Sequence, residues 1–380
     1  MTLYVKLSKH YINSCNFGHR NFVEKYIFDK FMRIKIALLF FMLSKIIFAQ
    51  LGGMGTYRFL YVSPNARIAA LGGNAIATPD ADINLISQNP SLLNKSNQHQ
   101  IGLNFVNYFA DISAGEANYG WHSDSLHTSF AAGIQYLNYG SFTKTAPDGQ
   151  ILGTFTAGEY NFHASAARTY KQFQYGLTLK FINSNLETYN SYGMAIDLGS
   201  TWISQDKLMA VTAVVSNIGT QFKSYTNGNY ESIPNNLQIG FSKKFEHNPF
   251  RISVIAQNLQ NPGQLLYQIR SRQQISLETG QPIQEDFTIM QKAMSHLVIN
   301  TEMILGRTLN IRFGYNALRQ REMALSNIRG FNGFSWGFGI RLNRFQFSYG
   351  NGGYMPGQNT NAFTIITRLD DFKKSKSITP

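Results

Sequence analysis

Cysteine is almost missing from this chain: Cys15 is the single one in 380 residues. A disulfide framework and a thiolate metal centre are excluded with it. Charge is sparse, at 14% Asp, Glu, Lys and Arg, and acids are the scarcer sign, 21 against 34 basic residues. Proline numbers only ten. Long hydrophobic runs are lacking too, since the Ile36–Leu43 stretch is too short to cross a bilayer as a helix. What is abundant is glycine, at 32 residues, and aromatic side chains, at 14%. With 43% hydrophobic residues the chain has ample material for ordered structure.

The formal charge of +13 raises nucleic acid as a partner. Nearly half of that excess sits in residues 1–49, which carry eight Lys or Arg and two acids. The remaining charges are scattered singly apart from Lys373, Lys374 and Lys376, and no basic helix accompanies them. Nucleic acid is therefore not an expected partner. Within the leader, Arg33 and Lys35 precede the Ile36–Leu43 apolar run, and Ala49-Gln50 follows. This is the order of a secretory signal, with cleavage after Ala49. The expected organisation is an upstream extension over 1–31 with translation starting at Met32, a signal peptide over 32–49, an N-terminal plug over 50–98, a barrel over 99–372 and a basic tail over 373–380.

The stretch Asn65–Leu93 (NARIAALGGNAIATPDADINLISQNPSLL) combines small residues, a bend at Gly72-Gly73, a turn at Asn89-Pro90 and polar groups from Arg67, Asp80, Asp82 and Asn84. Those features suit a segment packed inside a polar wall. From about His99 onward the pattern is period two. Phe334, Trp336, Phe338 and Ile340 alternate with Ser335, Gly337, Gly339 and Arg341, and similar alternation runs through fourteen segments from 99–110 to 360–369. Connections after even-numbered segments are tight. Those after odd-numbered ones are mostly long, notably Tyr139–Ala157 and Leu259–Met294, with a short helix expected over 286–296. Even strand number and one-sided loops are the marks of an outer-membrane barrel. A soluble sandwich is the competing architecture, but it presents a richly charged outer face. Here the non-aromatic face is Gly, Ser, Thr, Asn and Gln with isolated charges, which predicts a polar lumen carrying Arg168, Lys180, Asp197, Arg312 and Arg341. The expected fold is all-β, a 14-stranded antiparallel outer-membrane β-barrel with an N-terminal lumen plug, located in the cell outer membrane among its lipids.

Catalytic motifs are fragmentary. Gly333-Phe334-Ser335-Trp336-Gly337 has nucleophile-elbow spacing, but Ser335 falls mid-strand where the elbow needs a strand-to-helix turn. Ser141-Phe142-Thr143-Lys144 lacks the companion motifs of penicillin-binding enzymes. Ser129 or Ser165 with His127 or His163 is the one conceivable hydrolase pairing, and the histidines show no metal-ligand spacing. No enzyme, metal or cofactor is expected.

The order Ala66-Arg67-x-Ala69, Leu71-Gly72-Gly73, Asp80, Asp82 and Asn89-Pro90-Ser91-Leu92-Leu93, preceded by Gly52-Gly53-Met54-Gly55-Thr56-Tyr57, resembles the FadL-like outer-membrane barrels. Within these it is most similar to the PorV/PorQ branch of the Bacteroidetes type IX secretion system. The resemblance covers Gln50 to Pro380. It implies a non-enzymatic member of the outer-membrane attachment complex, working with a PorU sortase, PorV and a PorZ-like surface protein, and it transfers no catalytic residue. The plug motif, Arg67, Gly72, Gly73, Asp80, Asp82, Asn89 and Pro90, is the part that matches. The alternative function is a FadL-like channel for small hydrophobic molecules, with Asn89-Pro90 near its gate. A polar lumen argues against that alternative.

Overall fold

The computed structural model describes residues 55–226, 228–261, 288–322, 332–355 and 358–372. The leader, its cleavage position, the 373–380 tail and most of Leu259–Met294 lie outside the described residues. Period-two alternation becomes strand at all fourteen expected places. The first seven are β1 Gln100–Asn107, β2 Ser113–Ser123, β3 Thr128–Thr145, β4 Ile151–Tyr170, β5 Phe173–Leu186, β6 Tyr189–Ile203 and β7 Met209–Lys223. The others are β8 Asn236–Lys244, β9 Phe250–Ala256, β10 Leu297–Leu305, β11 Leu309–Asn316, β12 Phe334–Leu342, β13 Phe345–Met355 and β14 Gln358–Arg368. Each pairs antiparallel with its sequence neighbours, and β14 returns to β1, so the sheet is a closed barrel. Closure leaves no free edge in the hydrocarbon region. The short helix expected in the β9–β10 connection forms at Ile289–Ser295, capped by Thr288.

The outward side chains form an apolar belt. Leu103, Phe162, Leu179, Leu198, Ile239, Phe313, Trp336 and Phe363 all face outward and are exposed. On a water-soluble protein such a continuous apolar surface is untenable; in a bilayer it is the required one. The chain is therefore an outer-membrane β-barrel. Phe334, Trp336 and Phe338 point to lipid, while Ser335 and Gly337 point inward and are buried. Arg341 shares the inward register but lies exposed at the short-turn rim, donating to Gln346 at 3.1 Å. Phe338, central in β12, gives a direct check. Phe338→Arg is expected to cost about 2–4 kcal/mol in a barrel-unfolding titration, and Phe338→Leu much less. Equal cost from both changes would reject the outward assignment.

The Tyr139–Ala157 connection, expected as a loop, is instead a continuation of the sheet. β3 pairs with β2 only as far as Asn138, and β4 pairs with β5 only from Ala157. Beyond those points β3 and β4 rise together as a two-stranded hairpin, closed by a turn in which the Ala146 and Gly149 amides donate to Gln150 and Ala146 carbonyls. The departure is marked by a bulge at Tyr139-Gly140, where Gly140 takes the left-handed φ of 83°. The seven residues Tyr139–Thr145 lift the tip about 20 Å above the neighbouring β2 rim. Phe142 and Phe155 stack across the hairpin at 5.3 Å.

Candidate functional site

The lumen is occupied by the chain's own N-terminal segment. Asn65 caps the helix Ala66–Ala70, its side chain accepting from the Ile68 amide at 2.9 Å. Gly72 and Gly73, at φ 78° and 84°, turn the chain back, and the Gly73 amide closes the helix end on the Ile68 carbonyl. Asp82 and Asn89 then cap the 3-10 turns Ile83–Ser87 and Pro90–Leu92. Pro90 suits the first position of its turn because no amide is needed there. The segment packs on itself through Ile68, Leu71, Ala75, Leu85 and Leu92, and on the wall around it.

Those wall contacts fall on glycines. A Cβ on Gly350 would lie 2.0 Å from the Ala66 carbonyl oxygen, one on Gly314 2.2 Å from the Gly72 nitrogen, and one on Gly176 2.2 Å from the Pro90 carbonyl carbon. Backbone lies against backbone at each, so the lumen-facing glycines are landing sites for the plug. Amides complete the seam. Asn316 Nδ2 donates to the Gly72 carbonyl at 2.9 Å, Asn300 Nδ2 to the Asn74 carbonyl at 3.0 Å, and Asn104 Nδ2 to Asn84 Oδ1 at 2.8 Å. On β6, Thr201 meets Ser91 at 2.7 Å and Asn89 at 3.2 Å.

At the centre of this seam sits a network of three guanidinium and three carboxylate groups. Arg67 Nε and Nη2 donate to the two oxygens of Glu302 on β10, at 2.9 and 2.8 Å. Arg67 also binds Asp80 and, at 3.4 Å, Asp82. Arg251 on β9 grips both oxygens of Asp80 at 2.7 Å and reaches Glu302 at 2.9 Å. Arg312 on β11 donates to Glu302 at 3.2 Å and to Ser348 at 3.3 Å. The formal charges cancel, and bidentate geometry satisfies much of what burial takes from water. Neither Glu302 nor Arg251 was among the expected site residues. Their positions were readable, since Glu302 shares the inward register of Val298 and Asn300, but their convergence on Arg67 was not.

Burial pushes the Asp80 carboxyl up, yet Arg251 and Arg67 together outweigh it and hold it well below the usual carboxylate range. A depressed folded-state value means the stabilisation is complete above the unfolded value, about 4, and is lost as pH falls below it. The Asp80 contribution to barrel stability is therefore expected to be constant above about pH 5 and to be lost in acid. Asp80→Asn should lower the plateau and shallow the acid limb. An unchanged acid limb would separate the effect from Asp80.

The other expected lumen charges divide. Lys180 and Asp197 face inward and pair at 2.7 Å, with Asn217 at the β7 bulge accepting from Lys180 at 2.7 Å. Arg168 is a correction: it shares the outward register of Phe162, Ala164 and Ala166 and is exposed near the short-turn end of β4. A long basic side chain there extends toward the headgroups. The imagined serine–histidine pairs do not form either. His163 Nε2 meets Asn118 at 2.9 Å and Ser165 meets Thr178 at 2.7 Å. Ser129 is instead beside His122, at 2.8 Å, near the β2–β3 turn, where Ser129 is buried and His122 partly so.

The lumen is not uniformly polar, which corrects a second expectation. In its outer half, Tyr57 and Phe59 pack among Val106, Leu137, Ile182 and Ile233. The inward alternation in the upper strands mixes these apolar residues with polar ones, and the chain's own aromatics cover them.

Fold and lumen together define an outer-membrane β-barrel whose interior is filled by its own N-terminal segment. No family model matches the chain, and no curated protein matches it. Among solved structures it is similar to the CymD monoaromatic hydrocarbon channel, at 12% identity over 83% of this chain and 99% of that one, TM-score 0.48. It is likewise similar to the P. putida toluene transporter TodX, at 12% over 80% and 98%, TM-score 0.47. A Pseudomonas aeruginosa FadL homologue is similar at 9% over 80% and 97%, TM-score 0.42.

Proposed function

We propose that this barrel is a non-conducting anchor in the attachment step of a type IX secretion system, a PorQ-like role in which it holds a surface partner. The observation that supports this best is the seated plug, tied to the wall by the Arg67, Asp80, Glu302 and Arg251 ion pairs. Such a lumen is built to stay filled. The β3–β4 hairpin, standing clear of the membrane with the stacked Phe142 and Phe155, supplies a surface for a PorZ-like partner, with PorU and PorV acting in the same complex. The Leu259–Met294 connection, the other candidate for that contact, falls mostly outside the described residues. The motif running from Ala66 to Leu93 resembles that of this secretion system's barrels, and that resemblance is the ground for choosing this system.

Co-purification in mild detergent tests it. The intact barrel is expected to retain a surface protein. A variant with residues 141–154 replaced by a two-residue turn is expected to fold, shift on heating and lose that protein. Retention by the shortened barrel would remove the hairpin from the interface.

A second reading, a channel for small hydrophobic molecules, draws support from the apolar outer half of the lumen. Uptake of a labelled hydrocarbon into vesicles containing the purified barrel would favour it, and co-purification without uptake would favour the anchor.

A further inference from the structure

The lipid-facing surface is not uniform. Across β10 to β14, in the half nearest the long connections, it is indented by a groove of about 570 Å³. Its sides are Ile299, Phe313 and Trp336, and its upper end is Asn351, Gly353 and Asn359. The indentation has a local cause. Gly353 has no side chain, and Asn351 is short beside Trp336, its registered neighbour on β12. The aromatics around it are braced: Trp336 and Phe338 each meet Tyr349 at 5.6 Å, and Tyr349 meets Phe363 at 5.5 Å. A volume of this size accommodates a small-molecule-sized apolar group.

The upper end carries polar groups, at the rim where the apolar belt ends. Asn361 Oδ1 accepts from Tyr349 Oη at 2.7 Å and from Asn351 Nδ2 at 3.1 Å. Asn107 stands opposite Asn361 in the β1–β14 pairing, and Asn359 and Asn361 are both exposed. Side-chain amides on a lipid-facing register are costly in hydrocarbon unless they meet polar partners. Their place at the outer rim puts them at headgroup height. Among the described residues, none of those lining the groove is charged. Amides offer both donors and acceptors, as hydroxyl groups do, whereas phosphate recognition favours Arg or Lys.

We propose that this groove is a binding site for one outer-leaflet glycolipid, its acyl chain lying against Ile299, Phe313 and Trp336 and its sugar hydroxyls meeting the asparagine cluster. The groove opens onto the surrounding lipid and is continuous with the membrane-facing belt, so its occupant comes from the leaflet. The site belongs to the outside of the barrel and is independent of what the lumen or the hairpin does.

Trp336 reports on it directly. In a Trp121→Phe, Trp202→Phe background it is the one remaining tryptophan. The protein is placed in phosphatidylcholine vesicles with a small fraction of a glycolipid carrying a brominated acyl chain, or of phosphatidylethanolamine carrying the same chain. Quenching by the glycolipid is expected to exceed that set by its mole fraction about fivefold, the factor one net hydrogen bond supplies. Unbrominated glycolipid should reverse it. Asn351→Leu with Asn359→Leu should return quenching to the mole-fraction value, in a barrel that still shifts on heating. Equal quenching by both brominated lipids, or preference for phosphatidylethanolamine, would overturn the proposal. So would a preference that survives the double asparagine change.

Discussion

Replacing Glu302 by alanine is expected to destabilise the barrel by roughly 3–5 kcal/mol, the cost of stranding buried charge when one partner is removed. Glu302 is the shared acceptor of Arg67, Arg251 and Arg312, and it is almost fully buried. Its loss leaves three guanidinium groups facing two plug carboxylates. Only the Asp80 edge of the network reaches water, and Arg312 lies fully buried on its far side. Glu302→Gln keeps acceptor capacity at one oxygen but not the negative charge, so an intermediate effect is expected. Denaturant titration of the refolded barrel in lipid vesicles measures both. A loss below about 1 kcal/mol for Glu302→Ala, the value of an exposed pair, would mean the network is solvated and does not hold the plug.

The second large effect is steric. Gly350→Val is expected to unseat the plug, because even its Cβ would fall 2.0 Å from the Ala66 carbonyl oxygen and 3.1 Å from the Ala66 Cα. Backbone is the obstacle, not a side chain able to rotate away. Overpacking of this sort costs about 1–3 kcal/mol where neighbours can shift, and here the plug helix itself must move. Gly158→Ala is the control, since its Cβ meets nothing closer than 3.5 Å. Liposome swelling distinguishes the outcomes. Gly350→Val should fold into a heat-modifiable but leaky barrel, or fold poorly, while Gly158→Ala should remain sealed. A sealed, fully stable Gly350→Val would show that this contact does not seat the plug.

The barrel was legible in the sequence because lipid enforces alternation on each strand independently. β12 is the plainest case: Phe334, Trp336 and Phe338 cannot share a face with Ser335, Gly337 and Gly339. β4 shows where alternation fails. Ala164, Ala166 and Ala167 occur on both faces, so nothing local fixes which side Arg168 takes. The lumen glycines were visible but read as part of a merely polar lining. Their meaning lies in how closely another backbone approaches, which no strand pattern encodes. The plug network was half legible. Arg67, Asp80 and Asp82 stand out in a segment otherwise poor in charge, while their partners on β9, β10 and β11 are lone charges among ordinary strand residues. The β3–β4 hairpin was hidden because Ala146-Pro147-Asp148-Gly149 and its flanking glycines carry the chemistry of a loop. Pairing between the two strands overrides that preference.

The plug's attachment points also set an order of assembly. Ala66 donates to Thr364, 298 residues further along, and Arg67 meets Glu302 across 235 residues. The helix end of the segment, at Ala66 and Arg67, thus has these partners only once β10 and β14 are in place, whereas Asn84 and Ser91 meet the earlier strands β1 and β6. Contacts of such separation form late, because the intervening chain must be ordered first. During that interval Arg67 and Asp82, buried in the finished barrel, are exposed to periplasmic water, and the alanine-rich helix is too short to persist alone. Biogenesis is therefore expected to seat the Asn84–Leu93 part of the segment before its helix, and the Arg67–Glu302 contact is expected to close last.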